Sequence, residues 1–201
     1  MTTTTNETRR EVIIDTEIAK THGTYADSLI VLQQKMSAVH YAANDRKVNR
    51  AGDWGMDSAQ AMDKANHLAS SAVVEGESWS DRNNRDDAIK AVAGADAARA
   101  VVDAAQAAFQ TADEKYEGWA RFFLVTNANG HIHSSMFCST CHLDTGFAWL
   151  PTLSGLTEKD AVAEQGQRLC SVCFPSAPVE WTEGYYQNQK AEAKAERAAA
   201  K

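Results

Sequence analysis

Proline and cysteine are scarce in this 201-residue chain, with three and four copies, and aromatic residues make up only 8%. So few helix breakers and so few aromatic strand formers argue for helices over an all-β fold. No stretch approaches the roughly 18 consecutive apolar residues that a membrane helix needs. The opening residues, MTTTTNETRREVIID, lack the apolar centre of a secretory signal. An excess of positive charge is missing too. Twenty Lys and Arg face 27 Asp and Glu, a net of −7. That balance disfavours a general nucleic-acid coat or an anionic membrane surface as partner. The expectation is a soluble, cytoplasmic protein with no membrane partner. In a reducing compartment its cysteines should serve metal binding or redox chemistry, not structural disulfides.

Alanine supplies much of the 44% hydrophobic content, and most of it lies in the first two-thirds of the chain. Residues 1–10 read as a flexible, Thr-rich start, and residues 11–118 as a helical hairpin or coiled coil. Ile18, His22, Tyr25, Leu29, Leu32, Met36, Val39 and Ala43 alternate in spacings of 4 and 3. This is the signature of a helix seam. NRAGDWG, residues 49–55, breaks the pattern with two glycines and reads as a loop or reversal. Asp57 or Ser58 should cap a second helix running to about Glu75, with Ala61, Ala65, Leu68 and Ala72 on its apolar face. EGESWSDRNN interrupts again. A third helix is expected from about Arg85 to Trp119, with its own seam of Ala91, Ala95, Ala98, Val102, Ala105, Phe109, Ala112, Tyr116 and Trp119. Small seam residues let helix backbones approach closely. Such a region serves as a spacer, a homo-oligomerisation surface or a partner-gripping face. His22, Trp54 and Trp79 are the residues that would test the last role.

At about residue 119 the composition changes, and residues 119–186 read as a separate small module. FFLV and HIH are strand-forming stretches joined by the turn residues NANG. Strand alternation puts His131 and His133 on one face. GFAW reads as another short strand, and TEKDAVAEQG as a helix capped by Thr157 and stopped at Gly166. VEWTEGYY reads as a closing strand or turn. The four cysteines fall in two matched pairs, Cys138/Cys141 and Cys170/Cys173, with 28 residues between the pairs. Two residues between paired cysteines let one tight turn aim both sulfurs at a point. Four thiolates at about 2.3 Å close a tetrahedral zinc site, leaving no position for a catalytic water. A structural Zn2+ held by Cys138, Cys141, Cys170 and Cys173 is therefore expected. A redox pair fits poorly, because the βαβ context is missing.

His131, His133 and His142 flank the site, and one of them could replace a cysteine as ligand. With Trp149 and Phe174 they are candidates for a recognition face or for groups supporting the ligands. Two enzyme templates fail. A zinc deaminase needs His-x-Glu and Pro-Cys-x-x-Cys, neither of which is present. A His-Asn-His nuclease needs a further histidine after Cys170. Residues 128–189 carry Lys159 and Arg168 against Asp144, Glu158, Asp160, Glu164, Glu180 and Glu183, a net of −4. That removes the phosphate-neutralising term on which non-specific nucleic-acid affinity rests. Residues 187–201 form a charged Ala/Lys/Glu tail, read as a lone helix or a disordered end.

GWARFFLVTNANGHIHSSMFCSTC and GFAWLPTLSGLTEKDAVAEQGQRLCSVCFPSAPVEW resemble a set of uncharacterised proteins encoded by actinobacteria and often by their bacteriophages. The resemblance covers about residues 118–182. It implies a variable helical region followed by a double-CxxC module, with Cys138, Cys141, Cys170 and Cys173 in its two turns. It implies no activity and no catalytic residue, and it points to a phage-encoded protein acting in a bacterial cytoplasm. This chain departs from the set in its longer helical part and in its Ala/Lys/Glu tail.

The fold class expected is mainly α: a long-helix hairpin or coiled coil plus a small α+β zinc-ribbon or treble-clef-like module. The function expected is a non-enzymatic, zinc-binding adaptor with a protein partner, a host protein among the candidates. The alternatives are a nucleic-acid-binding zinc protein and an enzyme working at the His131/His133 face.

Overall fold

The computed structural model describes residues 9–126, 130–177 and 194–199. Over these the chain is mainly helical, with a small three-stranded antiparallel sheet. It divides into two compact units. Lys20–Asp113 form one, and residues up to Ala19 combine with those from Glu114 onward in the other.

The helical unit holds most of α1 (Arg10–Ala42), all of α2 (Ser58–Ala69) and α3 (Trp79–Asp113). Its centre is Val39, Ala43, Ala61, Ala65 and Ala95, with Met36 and Met62 filling in beside them. Small side chains at these points let α2 and α3 pack closely. In α3 the seam residues Ala95, Ala98, Val102, Ala105 and Ala112 are all buried, as their spacing requires. His22 meets Phe109 edge-on at 5.3 Å between ring centroids, and Tyr25 stacks on the same ring at 6.4 Å.

Two helix ends differ from the sequence expectation. α2 stops at Ala69, not near Glu75. The hydroxyls of Ser70 and Ser71 donate back to the carbonyls of Asn66 and Leu68 at 2.8 and 2.7 Å, closing the last turn. Its start is as expected: Asp57 accepts from the Gln60 N–H at 2.8 Å, and the Gln60 side chain accepts from the Asp57 N–H at 3.1 Å, a capping box. α3 is displaced toward the N-terminus relative to expectation. Ser78 accepts from the Asp81 N–H at 3.1 Å and so starts the helix six residues early. At the other end α3 stops at Asp113, so Tyr116 and Trp119 lie beyond it, near Gly118 with its φ of 93°.

The loop between α1 and α2 is built on one buried carboxylate. Asp45 accepts from His40 Nδ1 at 2.8 Å, from the Arg46 N–H at 2.8 Å and from the Met56 N–H at 3.1 Å. Burial alone would raise this carboxyl, but these hydrogen bonds outweigh it and hold it below its ordinary range. Trp54 stacks on His40 at 4.5 Å, so this tryptophan pins its loop. Trp79, by contrast, is exposed.

In the other unit, β1 (Phe123–Val125) is the central strand. It pairs antiparallel with β2 (Ile132–His133) on one side and β3 (Phe147–Trp149) on the other. A helix α4 (Glu158–Gln165) follows, capped by Thr157 and ended at Gly166, as the sequence indicates. Phe122, Ile132, Leu153, Ala161, Leu169, Phe174 and Ala177 form the core. Phe122 and Phe174 lie parallel, 5.6 Å apart.

This unit is not confined to residues after 118. The start of α1 belongs to it and places Asp15, fully buried, where it accepts from Trp119 Nε1 at 2.8 Å and Arg121 Nε at 3.0 Å. Arg10–Glu117 and Lys115–Glu17 ion pairs of 2.5 and 2.7 Å flank it. The NANG turn apart from Gly130, the VEWTEGYY stretch, the first eight residues and all of the tail except 194–199 lie outside the described residues. Residues 194–199 are helical and exposed.

Candidate metal centre

The sheet aligns the two cysteine turns. Leu169 bridges in parallel to Ile132, and the Cys170 N–H donates to the Ile132 carbonyl at 2.9 Å. Leu169 and Ile132 are both fully buried, so this junction is anchored in the core. The first turn closes by the Cys141 N–H donating to the Cys138 carbonyl at 2.9 Å. The second closes from the Phe174 N–H to the Cys170 carbonyl, also at 2.9 Å.

The donor atoms that converge are His133, Cys138, Cys170 and Cys173, all within 4.8 Å of one another. Cys138 Sγ lies 4.0 Å from Cys170 Sγ, and His133 Nδ1 lies 3.6 Å from Cys173 Sγ. A tetrahedron with metal–sulfur bonds of about 2.3 Å has edges of about 3.8 Å, so these spacings suit one small cation at the centre. The chemistry of the donor set fits as well, since thiolate and imidazole together favour zinc-like ions over oxygen-seeking ones.

Of the four cysteines singled out in the sequence, three join that set. Cys141 does not, although its sulfur is 3.8 Å from both ring nitrogens of His133. His133 joins Cys138, Cys170 and Cys173 in that set. It is 2% exposed, sits on β2 beside the Ile132–Leu169 junction, and meets Phe147 edge-on at 6.3 Å. The sequence signal for it was the strand alternation of HIH, which leaves open which histidine faces the turns.

The other flanking residues fall differently. His131 lies 6.3 Å from His133 between ring centroids. His142 is exposed, its backbone N–H donating to Thr145 Oγ1 at 2.9 Å. Trp149 is half-buried against Phe123, and Phe174 is in the core, so neither ring is presented as a free stacking platform.

Electrostatics prepare the donors unevenly. Burial lowers the titration of His133 and His131, keeping both imidazoles neutral near pH 7, the form that coordinates metal. Burial alone would raise the Cys138 thiol, but the Thr140 hydroxyl at 3.2 Å and the Thr140 backbone N–H lower it overall. Burial pushes Cys173 up to about 11, and burial together with the nearby Cys138 charge raises Cys141. A cation among these sulfurs would reverse the last two shifts.

The helical unit has a cleft of about 830 Å³ whose lining includes Lys35, Tyr41, Glu77, Asp81, Asp87 and Lys90. Its charged lining mixes two lysines with three acidic residues, and none of the cysteine or histidine donors lines it. Among the described residues no helix is long and apolar enough to cross a membrane. No family model matches the chain, and neither the curated proteins nor the solved structures contain a match to it.

Proposed function

We propose that the chain is a non-enzymatic, zinc-binding protein-interaction adaptor, phage-encoded and acting on bacterial host machinery. In this reading the cysteine unit is a small zinc-ribbon or treble-clef-like module, the zinc is structural, and the helical region acts as hairpin or coiled coil. The converging thiols and imidazole support the metal. A closed four-ligand shell supports the non-enzymatic role, since no open position remains to activate water.

The observation that carries the protein-binding role is the apolar surface of the two cysteine turns. Phe137 is 92% exposed, Leu143 is fully exposed and Val172 is 55% exposed. All three lie within two residues of a cysteine. Large apolar side chains held outward by a rigid metal knot fit the buried centre of a protein interface. The net −4 of residues 128–189 suits such an interface better than a phosphate backbone.

The test is a nuclease-treated capture from bacterial lysate, comparing the wild type with Phe137→Ser/Leu143→Ser. Metal content is checked in both by elemental analysis. A protein held by the wild type and lost by a metal-loaded double variant is expected. Equal capture by both would remove this surface from the interaction. Recovery of nucleic acid alone, when nuclease is left out, would replace the adaptor with a nucleic-acid binder.

A further inference from the structure

Five donors surround a site that has four positions. We infer that His133, Cys138, Cys170 and Cys173 hold the metal while Cys141 is a fifth donor, close enough to take the position of His133 by ligand exchange. This rests on the metal reading above and goes beyond it, because it gives one of the metal's four positions two alternative donors.

Three observations carry the assignment. First, His133, Cys138, Cys170 and Cys173 form the mutually close set. Second, the sheet fixes His133 to the second cysteine turn, since its neighbour Ile132 receives the Cys170 N–H. Cys141 is held within the first turn instead, its N–H donating to the Cys138 carbonyl at 2.9 Å, and leads into the exposed stretch of His142 and Leu143. Third, the Cys141 sulfur is equidistant, at 3.8 Å, from both nitrogens of the His133 ring. It stands at the flank of the imidazole it would replace, about one tetrahedral edge away.

The exchange is balanced as follows. The Cys141 thiol gives its proton to solvent, its sulfur bonds the metal, and the bond from metal to imidazole nitrogen breaks. Two positive charges against three thiolates become two against four, so the centre gains one negative charge. No electrons are transferred. A site with a spare thiolate at its rim can load or pass on a divalent, thiol-seeking cation without first exposing a bare ion.

Cobalt(II) substitution and thiol labelling test this. The wild type should bind one cobalt tetrahedrally with three thiolates and one nitrogen. His133→Ala should remain tetrahedral, and its thiolate-to-cobalt absorbance should rise by about one third, from three sulfurs to four. Cys141→Ser should leave the wild-type spectrum unchanged. Cys138→Ser should lose affinity by more than the roughly 10–100-fold typical of an outer-shell partner. Should His133→Ala fail to fold, the zinc-loaded wild type still decides. Brief alkylation followed by peptide mapping should modify Cys141 and spare Cys138, Cys170 and Cys173. A four-sulfur wild-type spectrum with all four cysteines protected would overturn the inference and leave the metal site standing. No tetrahedral cobalt bands at all would overturn the metal reading itself.

Discussion

Asp15 offers the sharpest test of how the cysteine-bearing unit is built. Its carboxylate is fully buried and accepts from Trp119 Nε1 and Arg121 Nε at 2.8 and 3.0 Å. Arg121 is itself only 14% exposed in its side chain. Removing one member of a buried charge pair costs about 3–5 kcal/mol, because the other charge loses its main compensation. Here Arg121 keeps a stacking contact with the Tyr116 ring at 3.4 Å from its guanidinium carbon to the centroid. That retained cation–π contact is worth about 0.5–2 kcal/mol, which places Asp15→Ala at about 3 kcal/mol, the lower end. Against a typical total of about 5–15 kcal/mol, this is a large fraction of a small unit's stability.

The comparison is Arg10→Ala, which removes a pair whose side chains are 65% and 60% exposed. Solvent screens such a pair, and a far smaller effect than that of Asp15→Ala is expected. Hydrogen exchange read by mass spectrometry resolves both effects by segment. Asp15→Ala should lower protection across 114–126 and 130–177 and leave α2 and most of α3 near wild type. The double variant with Arg121→Ala should cost less than the sum of the two singles. An Asp15→Ala effect under about 1 kcal/mol, or an additive cycle, would refute the argument that this carboxylate docks the start of α1 onto the segment leading into β1.

Other outcomes follow from the same geometry. Phe122→Ala removes a core ring stacked on Phe174 and should cost about 3–5 kcal/mol by urea denaturation, with Ile13→Ala on the exposed side of α1 within about 0.5 kcal/mol. Cys138→Ser should sharply weaken metal binding and strip protection from 130–177, while most helical ellipticity persists; loss of all helicity would show one cooperative unit in place of two. Chromophoric-chelator competition should show metal affinity rising with pH through neutrality, because raised thiols such as Cys173, near 11, each release a proton on binding. The metal-free unit has the opposite sense. A thiol raised above its ordinary value of 9.0 favours the fold below about pH 9, and that contribution fades as pH climbs toward 11. Alkaline melts should therefore destabilise the stripped protein and spare the loaded one.

Periodic features were legible in the sequence because they are local. The 4-and-3 spacing of Ala95, Ala98, Val102, Ala105 and Ala112 states which face of α3 is buried. Thr157 and Gly166 bracket α4 because a cap needs only its own few residues. The ends of α2 and α3 were not legible to the same degree. Ser70 and Ser71 close one helix and Ser78 opens the next by side-chain hydrogen bonds that a polar stretch does not advertise. The Asp15–Trp119 contact joins residues 104 apart, and no local pattern reports a partner at that distance in sequence.

The donor set divides along the same line. Paired cysteines announce a metal site because the turn that aims two sulfurs is contained in four residues. Which donors complete it depends on the sheet. Pairing Leu124 with Ile132, and Ile132 in turn with Leu169, brings His133 to the second turn by backbone hydrogen bonds. Once that register is set, strand alternation dictates that His133, not Ile132, faces away from the core toward the sulfurs. A one-residue slip would bury the imidazole in the apolar cluster and turn Ile132 toward the thiols. The register therefore decides the chemistry of the centre as well as the packing of the core. Ile132→Ala should thus weaken both together, whereas a core change remote from β2, such as Leu153→Ala, should lower stability by about 2–5 kcal/mol and leave the cobalt spectrum of the folded protein unaltered.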